Sequence, residues 1–229
     1  HCVTRRQRQM CIRDRPYSVF RDVQRGSSLP WHKDYTRPQL LKFFLPSRDS
    51  HAAAYYDWGS ELETEWKENY KLWMTFINEY KNRGGRVTAG SDSGYMYNLY
   101  GFGFVQELEL LREAGFHPME VIRAGTLHAA EAIGMEDKIG TVEVGKLADL
   151  ILMDENPLKN LKYLYATGDI KLDEENDVIR VGGVEKTIKD GIVYDARLLL
   201  EDVKKIVDEE KSKTPDWKSL LYESIGRKN

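Results

Sequence analysis

Gly84 to Gly94 reads GGRVTAGSDSG, and the rest of the chain is interpreted from this stretch outward. Gly84 and Gly85 predict the end of a helix, because glycine accepts the left-handed backbone that closes one. Arg86, Val87, Thr88 and Ala89 suit a brief strand with β-branched residues at its centre. Gly90, Ser91, Asp92, Ser93 and Gly94 do not extend it comfortably; small residues let the backbone turn sharply and leave room beside Asp92. The expectation is a carboxylate on a tight turn at the carboxyl end of a strand, where barrel enzymes put their chemistry. An aspartate in such a turn also serves as an ordinary turn former or helix cap, and spacing alone does not separate the two.

The flanks of this stretch predict helices. Ser60 to Arg83 opens with a capping-box pair, Ser60 and Glu63, and carries Leu62, Trp66, Tyr70, Trp73, Ile77 and Tyr80 at intervals of three and four, on one face. Beyond the turn, Tyr95 to Gly103 reads as a loop, and Phe104, Val105, Leu108, Leu111 and Ala114 mark a second amphipathic helix closed by Gly115. Pro118 suits the first position of a further helix begun at His117. Thr126 is placed to cap a short one ending at Gly134, with His128 in its first turn as a surface or capping residue.

From Met135 the pattern changes to strands. Ile139, Thr141, Val142 and Val144 lead to a turn at Gly145 and Lys146, and Leu150 to Met153 is an apolar run of the length of a buried strand. Ile179 to Val181, Glu185 to Lys189 and Ile192 to Tyr194 add short strands, with Asp190 and Gly191 as a hairpin signal. Asp173, Glu174, Glu175 and Asp177 form an acidic run that lacks the regular ligand spacing and internal glycine of a calcium loop, and it reads as a solvated hairpin tip. Leu198, Leu199, Val203, Ile206 and Val207 give a last amphipathic helix, followed by a lysine-rich remainder expected to fray or dock loosely.

The front of the chain is harder to interpret. HCVTRRQRQMCIRDR, residues 1–15, is arginine-rich, without periodicity and without the apolar core of a secretory signal; it reads as a leader foreign to the domain, against the rival of a basic arm for an acidic partner. From Pro16 to Asp57, Pro16, Pro30, Pro38 and Pro46 interrupt an aromatic-rich stretch, which reads as long connections with one short element. Trp31, His32, His51, Tyr55, Tyr56 and Trp58 are candidate substrate contacts, weighed against plain aromatic packing under loops. Neither His32 nor His51 belongs to an H-x-H pair, and neither is assigned as a metal ligand.

At 229 residues, with net charge −3, the chain is long enough for one or two cores. No apolar run approaches the roughly 20 residues that cross a bilayer, and the charges are interspersed, so neither membrane nor nucleic acid is indicated as a partner. Both cysteines, Cys2 and Cys11, fall in the leader, which leaves no disulfide framework or thiolate cluster in the body and fits either redox compartment.

GGRVTAGSDSG, then ELELLREAGFHPMEVIRAGTLHAAEAIG, then IGTVEVGKLADLILMDENPL and finally TIKDGIVYD together resemble the C-terminal part of the metal-dependent amidohydrolase superfamily, nearest its imidazolonepropionase and prolidase-like members. The resemblance runs from about Gly84 to Asp195. It implies an α/β fold, the C-terminal part of a (β/α)8 TIM-like barrel over residues 16–134, with part of a composite β-sandwich over 135–197 and a C-terminal helix and tail over 198–229. It implies that Asp92 ends the eighth barrel strand, where the family places an aspartate that binds metal and shuttles a proton. The implied cofactor is a divalent metal, zinc, one or two ions in the complete protein. Such an ion lowers the pKa of bound water from about 16 to about 7, and an adjacent carboxylate can take that proton and return it to the leaving nitrogen. The implied substrate is a small molecule or peptide with a hydrolysable C–N bond; a homo-oligomer stays open.

Two departures accompany the resemblance. His128 stands where related sequences usually have asparagine. A full barrel takes about 250 residues, and no H-x-H pair, bridging lysine or glutamate or later-strand histidine is found ahead of Asp92. A catalytic zinc takes about three protein ligands, so the chain reads as a C-terminal fragment that binds no metal by itself and is inactive alone, with its half-barrel face exposed. The alternative is a non-enzymatic binding or assembly module derived from the same fold.

Overall fold

A computed structural model describes residues 17–49, 53–94 and 96–223. The leader with Cys2 and Cys11, and His51 among the substrate candidates, lie outside the described residues. The chain divides into two compact units: His1–Trp73 with Asp92–Leu99 and Glu201–Asn229, and Met74–Ser91 with Tyr100–Leu200.

The first unit is helical where the sequence suggested long connections. It contains α1 (residues 17–25), α2 (Pro30–Tyr35), α3 (Pro38–Phe44), α4 (Ala53–Tyr56) and the start of α5 (Ser60–Asn82). Pro30 and Pro38 begin helices, at a first position where the missing N–H has no intrahelical partner to lose. The unit's core mixes aromatic and apolar aliphatic side chains: Val19, Val23, Phe44, Met96 and Tyr97 are buried together, with Leu40, Tyr55 and Tyr56 packed on them. As far as Glu223, the lysine-rich end is more ordered than expected. It forms α10 (Trp217–Glu223) after α9 (Ala196–Ser212), with Leu220 buried and the Ser27 hydroxyl donating to the Leu221 carbonyl at 2.7 Å.

α5 matches its expected span but not its expected cap: Ser60 is already the first helical residue, and the Glu63 amide goes to the Gly59 carbonyl. Tyr70 and Ile77 on the predicted face are buried, whereas Leu62 and Tyr80 at its margins are exposed, as are Leu72 and Phe76 off it.

The second unit holds α6 (Phe102–Glu113), α7 (Pro118–Gly125) and α8 (Leu127–Ala132) around an aliphatic core of Ile77, Val87, Leu108, Leu111, Ala114, Phe116, Val121, Ala124 and Leu161. Pro118 opens α7 as expected, and the Glu120 carboxylate accepts from the His117 amide at 2.8 Å. Thr126 is at the N-cap of α8, but its hydroxyl donates backward to the Ile122 carbonyl, so it closes α7 and does not cap α8.

All pairing among the described strands is antiparallel. β1 (Leu150–Leu152), β4 (Lys186–Lys189) and β5 (Ile192–Asp195) form one sheet in the order β1-β4-β5, and β2 (Asp169–Leu172) pairs with β3 (Val178–Val181). Asp190 and Gly191, with φ of 50° and 78°, make the predicted hairpin turn between β4 and β5. The acidic run is the β2–β3 tip, where the Asp173 carboxylate accepts from the amides of Glu175 and Asp177.

Three strand expectations change. Residues 139–147 form turns, with Val142 and Val144 exposed. The supposedly buried run is a three-residue strand with Ile151 and Leu152 about half exposed. Arg86–Ala89 is not assigned as a strand, because no neighbouring strand pairs with it among the described residues; its backbone bonds to helices instead. β2 follows the polar–apolar alternation of a strand but is only four residues long.

Candidate active-site carboxylate

The segment before Asp92 is held by the aliphatic core. Val87 is buried within it, and Ala89 packs at its edge. The Ala89 amide donates to the Ala124 carbonyl of α7 at 3.1 Å. The Val87 carbonyl lies 3.1 Å from His128 Nδ1 on α8, and Arg86 pairs with Glu131, also at 3.1 Å. Helix backbone and side chains thus take the place that strand neighbours occupy in a sheet. The structure also corrects the expectation for His128: it is half-buried and neither caps α8 nor stays on the surface.

Asp92 is exposed on the turn that follows, at φ 49°. This left-handed conformation costs most residues steric energy but is tolerated by aspartate, whose short polar side chain can bond locally. The turn closes with the Gly94 amide donating to the Asn98 carbonyl at 2.8 Å and the Ser93 hydroxyl 3.4 Å from Asn98 Oδ1.

Tyr97 anchors the downstream end of the turn. It is 1% exposed and, like Asp92, adopts a positive φ, 58°. Its hydroxyl donates to the Phe44 carbonyl at 3.0 Å, and its ring meets Phe44 at 4.9 Å and the edge of His32 at 5.7 Å. Periodicity gave no sign of this role, since Tyr97 lies outside any helix or strand.

His32 is wholly buried, so it is a core residue and not a substrate contact. Its Nδ1 is 3.0 Å from the Thr36 hydroxyl, while Nε2 has no hydrogen-bond partner of good geometry. Burial pushes its pKa from 6.5 down to about 4, against an opposing contribution from the nearby Tyr97 backbone. Trp58 stacks between Phe20, at 4.7 Å, and Trp66, at 5.7 Å, and Tyr55 lies 5.3 Å from Trp58. Tyr56 borders an open depression of about 340 Å³ lined also by Pro46, Ser47, Arg48, Ala53 and Asp57. Arg48 and Asp57 are ion-paired there, and both are largely exposed.

Asp92 supplies an oxygen donor of the kind a hard or borderline cation takes. Among the described residues, however, no three histidine, cysteine, aspartate or glutamate side chains come together to hold a metal ion. The described part of the chain does not fit a self-contained metal centre.

The Amidohydrolase family model matches residues 73–193, a span that includes the Asp92 turn, the three helices that follow it in sequence and the antiparallel strands as far as the first half of β5. The chain belongs to the amidohydrolase family, which places it in an α/β fold class containing a TIM barrel. Over 75 residues it is 40% identical to the imidazolonepropionase of Symbiobacterium thermophilum, covering 31% of this chain and 16% of that protein. Over 52 residues it is 44% identical to the 5'-deoxyadenosine deaminase of Methanobrevibacter smithii, covering 23% and 12%. A crystal structure of a Xaa-Pro dipeptidase with methionine bound in its active site is similar at 22% identity and a TM-score of 0.43, over 69% of this chain and 33% of that one. The chain thus spans a small part of the length of the curated relatives it matches.

Proposed function

We propose that this chain is the C-terminal part of a hydrolase that cleaves C–N bonds in a small molecule or peptide, and that Asp92 is the carboxylate it contributes to the reaction. In this reading residues 16–134 belong to the barrel and 135–197 to the sandwich. The observation that carries the proposal is the family match across the Asp92 turn, supported by an exposed carboxylate on a turn whose downstream end is held by the buried Tyr97. A carboxylate held in one place can take a proton from attacking water and return it to the departing nitrogen. Removal of the negative charge with little change in shape therefore tests the role directly.

A divalent metal is part of the proposal only for the complete protein. Asp92 would be one of its ligands, with the others supplied from outside the described residues, and zinc is the expected ion. The chain alone is expected to be inactive and to retain no stoichiometric zinc after dialysis. The deciding experiment expresses the complete reading frame and assays it against proline dipeptides, cyclic amides and aminopurines. Asp92→Asn should reduce turnover by about 100-fold or more, the scale of a lost general acid–base group. Turnover equal to that of the unaltered protein would reject the role, and absence of hydrolysis on every substrate would favour a binding module.

A further inference from the structure

We infer that His128 is a positioning residue whose Nδ1–H holds the segment leading to Asp92 through the Val87 carbonyl; its relevance to catalysis rests on the proposed role of Asp92. A carbonyl oxygen only accepts, so the 3.1 Å contact from His128 Nδ1 to Val87 O requires the proton on Nδ1. This fixes the tautomer of the neutral ring. The imidazolium also carries a proton on Nδ1, so the tether persists in both charge states.

The location gives the bond leverage. Val87 is five residues before Asp92, in a segment without a strand neighbour among the described residues. Its other links to α7 and α8 include the Ala89 amide to the Ala124 carbonyl and the solvent-facing Arg86–Glu131 pair. The Val87 carbonyl has to find its donor from a side chain, and His128 supplies it. Buried carbonyls left without a donor are uncommon because the loss is costly.

The same chemistry makes asparagine a conservative replacement at this place. The δ-nitrogen of asparagine and Nδ1 of histidine are each attached to Cγ, so both can present an N–H at the same distance from the backbone. Aspartate has the shape of asparagine but offers only acceptors when ionised. As the second residue of α8 (Leu127–Ala132), it would favour the start of that helix. A penalty on His128→Asp therefore reports the lost tether and not a damaged helix.

The test uses this chain, labelled with ¹⁵N. When its ring is neutral, His128 should show a protonated, pyrrole-type Nδ1 and an unprotonated, pyridine-type Nε2. The Ala89 amide should exchange with solvent at about the same rate in His128→Asn as in the unaltered chain, and roughly fivefold faster in His128→Asp, the scale of one lost hydrogen bond. A proton on Nε2 alone, or equal exchange in the two variants, overturns the inference. If His128→Asp does not fold, the tautomer in the unaltered chain decides. None of these readouts requires hydrolysis, so a silent Asp92→Asn would reject the hydrolase role and leave the tether standing.

Discussion

The two cores of this protein use different materials. One collects aliphatic residues from regularly spaced helix positions: Leu108 and Leu111 of α6, Val121 and Ala124 of α7, and Ile77 of α5. The other gathers aromatic rings from short helices and from the loop after Asp92, around a fully buried histidine. The first has no titratable side chain among its buried residues and should be indifferent to mild acid. The second carries in His32 a group whose charge it cannot solvate.

The contrast can be measured because all five tryptophans, Trp31, Trp58, Trp66, Trp73 and Trp217, belong to the aromatic unit. Their fluorescence follows that unit, while far-ultraviolet circular dichroism follows the helices of both. The largest effect is expected from Phe116→Ala in the aliphatic core. Phe116 is 1% exposed, and truncating a buried phenylalanine costs about 3–5 kcal/mol. Urea unfolding should then begin at lower concentration by circular dichroism while the tryptophan transition stays in place. An equal shift in both signals would show that the two cores unfold as one.

Acid should act on the other core. The folded pKa of His32, about 4, lies below its ordinary 6.5, so between those values the unfolded chain binds more protons than the folded one. The stability due to the neutral imidazole is therefore full above pH 6.5, falls as the pH is lowered toward 4 and changes no further below that. Across the window the loss is about 3 kcal/mol. It should appear in the tryptophan signal and be flattened in His32→Asn. A pH-independent tryptophan transition between 4 and 6.5 would remove the distinction between the cores.

The same contrast marks what the sequence made legible. Period-3.6 spacing located α5 and α6, and the Asp190–Gly191 pair located its hairpin, because in each case the local pattern agrees with the final packing. The quoted motif likewise brought out Asp92 and its exposed turn. The aromatic unit is less legible because Pro30 and Pro38 open helices instead of interrupting the chain, and its short helices offer too few turns for a period to emerge. The anchors of the Asp92 turn were illegible for a related reason: Tyr97 acts from a loop, and His128 acts on a carbonyl 41 residues earlier. Long-range hydrogen bonds of this kind leave no mark on spacing.

Tyr97→Phe removes the hydroxyl that donates to the Phe44 carbonyl and keeps the ring. The expected cost is about 1 kcal/mol, seen by tryptophan fluorescence, with faster amide exchange at Gly94 and Asn98. Unchanged exchange there would mean that the aromatic core grips the turn through ring packing alone.

The smallest effect belongs to the edge of the aliphatic core, where charge does enter. Lys81 is mostly buried and lies 5.0 Å over the Phe116 ring, while Glu120, 2.7 Å away, is more than a third exposed. The Lys81 ammonium and the His117 amide hold the Glu120 carboxyl below its ordinary value. A depressed carboxylate stabilises the fold above its unfolded pKa, and that contribution is lost as the pH falls through the folded one. Because solvent reaches Glu120, its replacement by glutamine should cost only about 0.5 kcal/mol, and 1 M salt should erase most of the difference. A cost that survives high salt would assign the stabilisation to close pairing with the mostly buried Lys81 and not to screened surface charge, since glutamine still accepts from the His117 amide and keeps that cap.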